Sequence, residues 1–291
     1  MAKFGICNWI LIWYLALGFW HHGDCLAQNP KPRYISLAPS TTEILFALGL
    51  DEEIVGVSSY CNYPLPARLK PKIGDFSHPN LEQILALKPD YIFCTGLEQA
   101  AVIVELRRQG VKVYVADPKN IEELLDTIRE IGALTDRMEA AIALIKKLRR
   151  EIESISTKTR LVPAVKRPKV FVEIWHEPLM TAGKGSFVDE LITFAGGINI
   201  AQDVHRPYSI FSAEKVISLN PDCIILAYMD EEMPVKLVKS RFGWEGISAV
   251  KNNRVFNDIN PDILLRPGPR ITEGLRVLYQ KLYPEDEKNF D

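Results

Sequence analysis

Several features that usually announce catalysis or nucleic-acid binding are scarce or missing from this chain. Its formal charge is only −2, with 35 basic against 37 acidic residues, so it lacks the basic excess that nucleic acid selects. Beyond residue 27 no stretch reaches the roughly 20 consecutive apolar residues of a membrane span. Histidine is rare: His78, His176 and His205 are the only ones after residue 27. None pairs with another at helical spacing, which argues against a preformed zinc or manganese cage. Cysteine is equally sparse beyond that point, at Cys61, Cys94 and Cys223, with no zinc-type spacing and an odd count that leaves at least one free thiol. There is no Gly-x-Ser-x-Gly elbow and no His-Glu-x-x-His helix. Gly183-Lys184-Gly185-Ser186 has the look of a phosphate loop, but Pro178 stands where the leading glycine is required and Gly185 separates the lysine from the serine.

What is present reads as an exported globular protein. Lys3 supplies a short positive region, Ile6 to Trp20 is almost wholly apolar and aromatic, and Cys25-Leu26-Ala27 offers a cleavage site before Gln28. That is the layout of a secretory signal peptide over residues 1–27. An uncleaved anchor is the other reading, and the polar His22-Gly23-Asp24 disfavours a lipoprotein signal at Cys25. The remaining length suits one or two domains.

The chain writes one segment twice. Asn80-Leu81-Glu82 opens an apolar helix that ends at Pro89-Asp90, before the strand Tyr91–Cys94. Ser212-Ala213-Glu214 opens another that ends at Pro221-Asp222, before Cys223–Leu226. The register holds at an offset of 132, pairing Glu82 with Glu214, Pro89 with Pro221 and Asp90 with Asp222. A looser echo sets Ser40–Gly49 against Ser186–Gly197. Two copies in one order predict two similar lobes.

Strands alternating with helices predict parallel, doubly wound sheets. Helices are expected over 121–134 and 187–194, with Ser40 as an N-cap and Glu43 completing a capping box. A longer helix over about 136–156 carries the stripe Met138, Ile142, Ile145, Leu148, Ile152 and Ile155 and suits a brace across two lobes. Thr157–Lys169 forms the boundary, then a strand over 170–174 and a turn at Trp175-His176-Glu177-Pro178. Ligands of such sheets sit outside the carboxyl ends of the strands. The loops there carry Tyr60, Thr95, Trp175, Tyr208 and the segment Asp258–Arg270. Aromatic rings with a few polar groups suit a large, flat, partly apolar ligand, although Trp175 and Tyr208 could equally plug a lobe interface.

Several stretches carry a family resemblance over about residues 34–282. They are Tyr34-Ile35-Ser36-Leu37-Ala38-Pro39-Ser40-Thr41-Thr42-Glu43, Val55-Gly56-Val57-Ser58-Ser59-Tyr60-Cys61-Asn62-Tyr63-Pro64, Asn80-Leu81-Glu82, Gly196-Gly197-Ile198-Asn199-Ile200, Ser212-Ala213-Glu214 and Arg266-Pro267-Gly268-Pro269-Arg270. The chain resembles the periplasmic substrate-binding proteins of ABC importers for vitamin B12 and iron complexes, with the corrinoid binders nearest. The resemblance implies two Rossmann-like α/β lobes with parallel sheets bridged by a single long helix, the helical-backbone metal-chelate receptor type. The lobes would span 33–135 and 168–285, with the bridging helix at 136–160.

It further implies a ligand site at Tyr60, Phe76, Thr95, Trp175, Tyr208, Asp262 and Arg266, and permease docking through Glu82 and Glu214. Two positions depart from the corrinoid binders: Phe76 stands where a tryptophan is expected, and the Thr95-Gly96 loop lacks one. The expected role is capture of a corrinoid and delivery to an ABC permease dimer with its ATPase subunits. Ferric siderophore or haem is the alternative cargo, with Tyr60 or His176 as an axial ligand for haem. No catalysis, resident cofactor, protein-bound metal or nucleic acid is called for, and a periplasmic monomer is the expected state. A two-lobed enzyme such as a chelatase is the alternative of another class, with Asp258, Asp262 and His176 as its candidate groups.

Overall fold

The computed structural model describes residues 30–96, 99–228 and 235–285, so the export segment read at 1–27 lies outside the described residues. The first half builds β1 (Tyr34–Ser36), α1 (Pro39–Ala47), β2 (Ile54–Val57), α2 (Leu81–Ala86), β3 (Tyr91–Cys94), α3 (Ala100–Arg108), β4 (Lys112–Val115) and α4 (Ile121–Leu134). Its sheet has the order β2-β1-β3-β4 and is parallel throughout. Successive strand residues point to opposite faces, and the sequence exploits this. Ile35, Ile92 and Cys94 enter one core with Ile84, Ile103 and Leu106. Tyr34 and Phe93 enter another with Ile44, Leu45 and Ile128. Each isoleucine or leucine so buried contributes about 1.5–3 kcal/mol.

The brace is α5 (Met138–Arg160), 23 residues long and hence about 35 Å. Ile145, Leu148, Ile152 and Ile155 are buried as expected. Met138 and Ile142 are instead exposed. The reason is local: Ala141 turns inward against Gly132 of α4, where the helices approach so closely that a Cβ on Gly132 would lie 2.5 Å from that of Ala141. The helix also runs through Arg160, past the end at about 156 read from its apolar stripe, and Thr159 in this last turn faces inward, its hydroxyl donating to the Phe194 carbonyl at 2.9 Å.

The second half continues with β5 (Lys169–His176), β6 (Leu179–Ala182), α6 (Phe187–Phe194), β7 (Ile198–Asn199), β8 (Tyr208–Ile210), α7 (Ala213–Leu219) and β9 (Cys223–Leu226). It closes with α8 (Val235–Lys239), α9 (Ser248–Lys251), β10 (Val255–Phe256), α10 (Asp262–Leu265) and α11 (Ile271–Leu282). Strands β7, β5, β9 and β10 are parallel neighbours in that order, which repeats β2-β1-β3-β4. The sequence echo is therefore a topological one. Asp90 accepts the backbone N–H of Arg33 at 2.8 Å and Asp222 that of Lys169 at 2.9 Å, so each repeated Pro-Asp fastens its strand to the one beside it. Lys88 and Asn220 both turn left-handed just before (φ 46° and 49°).

The expectation of purely parallel sheets fails in this half. Trp175 and His176 do not form a turn; they extend β5, which folds back through Glu177-Pro178 into antiparallel β6, and β8 then pairs with β6. The second sheet is thus mixed, a copy of the first with a hairpin added at the carboxyl end of β5. A bulge between Glu173 and Trp175 sets the two side chains on opposite faces.

One further reading changes. Ser40 is not an N-cap: α1 starts after Ala38 with Pro39 in its first turn and no side-chain cap, since a proline is preorganised for that place. The corresponding Ser186 does cap α6, accepting from the Asp189 N–H at 3.1 Å, which also makes Gly183–Ser186 a strand-to-helix turn. Cys94 closes β3 on the outer core, whereas Cys223 opens β9 on the central one. That central core is shared: α5 packs against α4, α6 and α11, joining apolar residues of both halves. Among the described residues no helix is long and apolar enough to cross a membrane.

Candidate functional site

Three polar constellations are built at the carboxyl ends of the strands. The first is organised by Gln99, which is 1% exposed. Its amide donates to the carbonyls of Leu37 (3.0 Å) and Phe76 (2.7 Å) and accepts the Thr95 N–H at 3.0 Å. The loops carrying Phe76 and Thr95 are therefore held together, and the Gly96 N–H is fixed by Asp117 at 2.9 Å. The Thr95 hydroxyl is buried without a partner among the described residues.

The second constellation joins distant parts of the chain. Arg266 pairs with Asp262 at 2.9 Å and donates to the Asn62 side-chain oxygen at 2.7 Å, while the Asn62 amide donates to Asp262 at 3.3 Å. Four residues on, Arg270 grips Glu43 of α1 with two bonds of 2.9 and 2.6 Å and lies 3.9 Å over the Tyr63 ring. Burial pushes the Glu43 carboxyl above its ordinary range against the pull of Arg270. Burial likewise draws the Arg266 guanidinium below its usual value, opposed by Asp262. Two buried cations thus face the buried Glu43 and the partly buried Asp262, so the charges of these four groups balance. Tyr60, two residues before Asn62, is half exposed.

The third constellation lies at the ends of β5 and β9. Glu173 is fully buried, and Arg241 reaches it with two bonds of 2.7 and 2.6 Å. The Tyr228 hydroxyl donates to the same carboxylate. Burial, and then the Glu173 charge, push the Tyr228 phenol far above its ordinary value, so it stays a neutral donor. Beside it the rings of Trp175, His176 and Tyr228 cluster at centroid distances of 5.2 to 6.4 Å. The Trp175 indole N–H donates to the Glu177 carbonyl at 2.9 Å, which leaves the ring 36% exposed. Tyr208, opposite Ala182 on β8, is 44% exposed.

Of the expected ligand residues, the structure links Phe76 with Thr95 and Asp262 with Arg266. It places Trp175 in a ring cluster and Tyr208 on β8, the strand beside the hairpin. Glu173, Tyr228 and Arg241 escaped sequence reasoning, although an acidic residue within an apolar strand was a signal, because such a charge must be paired if buried. Glu82 and Glu214 are both exposed in the first turns of α2 and α7. Asn80 and Ser212 cap those helices through the N–H groups of Gln83 (3.0 Å) and Lys215 (3.2 Å). Ser212 also donates to Glu214 at 2.5 Å and holds that carboxyl below the usual carboxylate range.

The chelatase candidates do not assemble. Asp258 pairs with Lys281 at 2.6 Å, Asp262 with Arg266, and His176 packs among rings. No group of three or more potential metal ligands occurs among the described residues.

Two similar α/β halves braced by one long helix, with loops converging at the strand ends, define a receptor for a solute. The chain belongs to the periplasmic binding protein family, which it matches over residues 35–260. It is 32% identical over 268 residues to an uncharacterised ABC transporter substrate-binding lipoprotein of Bacillus subtilis, covering 90% of this chain and 83% of the relative. It is 34% identical over 252 residues to the vitamin B12-binding protein of Salmonella typhimurium, covering 86% of this chain and 90% of that one. Among solved structures it resembles a periplasmic haem-binding protein from Roseiflexus in apo form, with a TM-score of 0.78 and 26% identity over 87% of this chain and 98% of that one. The protein is a substrate-binding component of the ABC-importer class, not an enzyme.

Proposed function

We propose that the protein captures a corrinoid between its two halves in the periplasm and delivers it to an ABC permease. The observation that most supports this is the set of half-exposed rings, Tyr60, Trp175 and Tyr208, around polar groups whose charges are already compensated. Such a lining stacks on a broad, amide-rich, nearly neutral ligand and has little to offer a sugar phosphate or a free amino acid. Arg266 would face the ligand through its buried Nε–H, which has no protein partner among the described residues. Thr95, Phe76 and Asp262 would frame the cargo, and Glu82 and Glu214 would dock on the permease. Transport makes and breaks no bond in the cargo: binding captures it, and the ATPase-driven motion of the transporter releases it.

Haem is the second reading. The likeness to a haem-binding structure and the unpartnered Nδ1 of His176 beside Trp175 and Tyr228 support it.

Calorimetric titration with cyanocobalamin, haem and a ferric hydroxamate separates the readings. The corrinoid reading expects one-to-one binding of cyanocobalamin with a Kd in about the nanomolar to low micromolar range, or roughly −8 to −12 kcal/mol. Saturable binding of haem or siderophore alone would change the cargo. In the same preparation Glu82→Ala with Glu214→Ala should leave ligand affinity intact and abolish uptake; lost affinity would move both carboxylates into the ligand site.

A further inference from the structure

Phe242 is an outlier of exposure. Its side chain is 101% exposed, a costly placement for a large apolar ring. Its neighbours show why it cannot turn inward. Arg241 is fastened to the buried Glu173 by two bonds and stacks 4.7 Å from the ring of Trp244, which is 1% exposed. The Trp244 N–H returns to the Arg241 carbonyl at 3.0 Å. Gly243 between them has φ 79° and ψ −2°, the geometry of the third position of a type II turn, which favours glycine. Phe242 is therefore the apex of a tight turn whose two ends are anchored in the interior, and the fold presents the ring outward.

The ring has a neighbourhood. Ile217 of α7 touches the same turn: its Cδ1 lies 3.0 Å from where a Cβ on Gly243 would stand, and it is 37% exposed. Ile217 follows Glu214 by three residues, so the two share a face of α7. The face of α7 that carries Glu214 and Ile217 thus borders the turn that presents Phe242. Among the described residues the first half has no counterpart, because α3 passes through Gly110 directly into β4, whereas the second half inserts the Arg241–Trp244 turn and α9 between α8 and β10.

We propose that Phe242 and Ile217 form an apolar foot that inserts into the importer's permease beside the Glu214 contact, an inference that rests on the docking role assigned to Glu214. One phenylalanine and one isoleucine fall well short of the roughly 800 Å² per partner that a stable association between copies needs. They suit an anchor within a larger interface, of the aromatic kind that dominates binding energy. The adjoining carboxylate disfavours an anionic lipid surface and favours a basic protein one. With a foot on one half only, two matched carboxylates no longer present equivalent ends, and the foot orients the protein on its receptor.

The test measures binding of the exported protein to the permease–ATPase complex in lipid nanodiscs, with empty nanodiscs beside it. Wild type, Phe242→Ser, Phe242→Trp and Glu214→Ala are compared, and thermal midpoints confirm folding. Phe242→Ser should bind the complex at least tenfold more weakly with an unchanged midpoint, and Phe242→Trp should retain binding. If Phe242→Ser binds like wild type while Glu214→Ala fails, the foot is wrong and the docking reading stands. If neither substitution matters, the docking assignment itself falls and takes the foot with it. If Phe242→Ser loses affinity for empty nanodiscs equally, the ring is a membrane contact and the proposal is overturned.

Discussion

At the scale of single residues, exposure and pairing decide what each side chain is free to do. The Trp175 indole N–H is tied to Glu177 and its ring is a third exposed, so the ring face is what remains to be offered. Trp175→Ala should weaken ligand binding by at least about 1 kcal/mol, measured by calorimetry; an unchanged affinity would make the ring a packing element of the hairpin. The thiols are in the opposite position. Burial pushes Cys94 and Cys223 to about 12 and raises Cys61, whose sulfur accepts from Thr42 at 3.0 Å. Thiolate, not thiol, is the reactive form. Cys61, Cys94 and Cys223 should therefore resist a thiol reagent at pH 8 in the folded protein and react once it is denatured, as mass spectrometry of the labelled peptides would show.

At the scale of elements, close approaches are the sensitive points. A Cβ on Gly274 of α11 would stand 2.2 Å from the Ile263 carbonyl oxygen of α10, where neither backbone can yield cheaply. Gly274→Ala should lower stability by about 1–3 kcal/mol, read from denaturant unfolding. The elements themselves were largely legible in the sequence. Helices α4 and α6 carry strong apolar periodicity with Asn120 and Ser186 as caps, and the repeated Pro-Asp marks the start of β3 and of β9. The added hairpin was not legible. Trp175-His176-Glu177-Pro178 ends in a proline and lacks the Asn-Gly or Gly-containing signal of a two-residue hairpin turn, so nothing in it says that the first two remain in the strand, paired with Met180 and Leu179. Ser40 misled for a similar reason: its capping-box spacing is genuine, but Glu43 is claimed by Arg270, 227 residues away. Of the candidate site, the exposed rings of Tyr60, Trp175 and Tyr208 were legible as aromatic positions, although Trp175 and Tyr208 lie in β5 and β8 rather than in loops. The Glu173–Arg241–Tyr228 network was not, since its members are separated by up to 68 residues.

At the scale of the whole molecule, the Glu43–Arg270 pair ties α1 of the first half to the approach to α11 in the last. Glu43→Ala would leave a buried guanidinium without its carboxylate and should cost about 3–5 kcal/mol of stability. The double variant Glu43→Leu with Arg270→Met should lose less than the single one, because it removes both charges together. Equilibrium unfolding of the three proteins measures this. A double variant as damaged as the single would show that the pair matters through packing alone.

The shared central core also imposes an order in time. Ile145, Leu148, Ile152 and Ile155 of α5 share one core with Leu275, Leu278 and Leu282 of α11, which packs against α5 and follows it by more than 100 residues. During synthesis the first half emerges with that surface open and with Glu43 still lacking its base. A polypeptide interrupted before residue 262 would keep both defects permanently. Helix α11 thus covers apolar surface of the kind that, left open, favours aggregation.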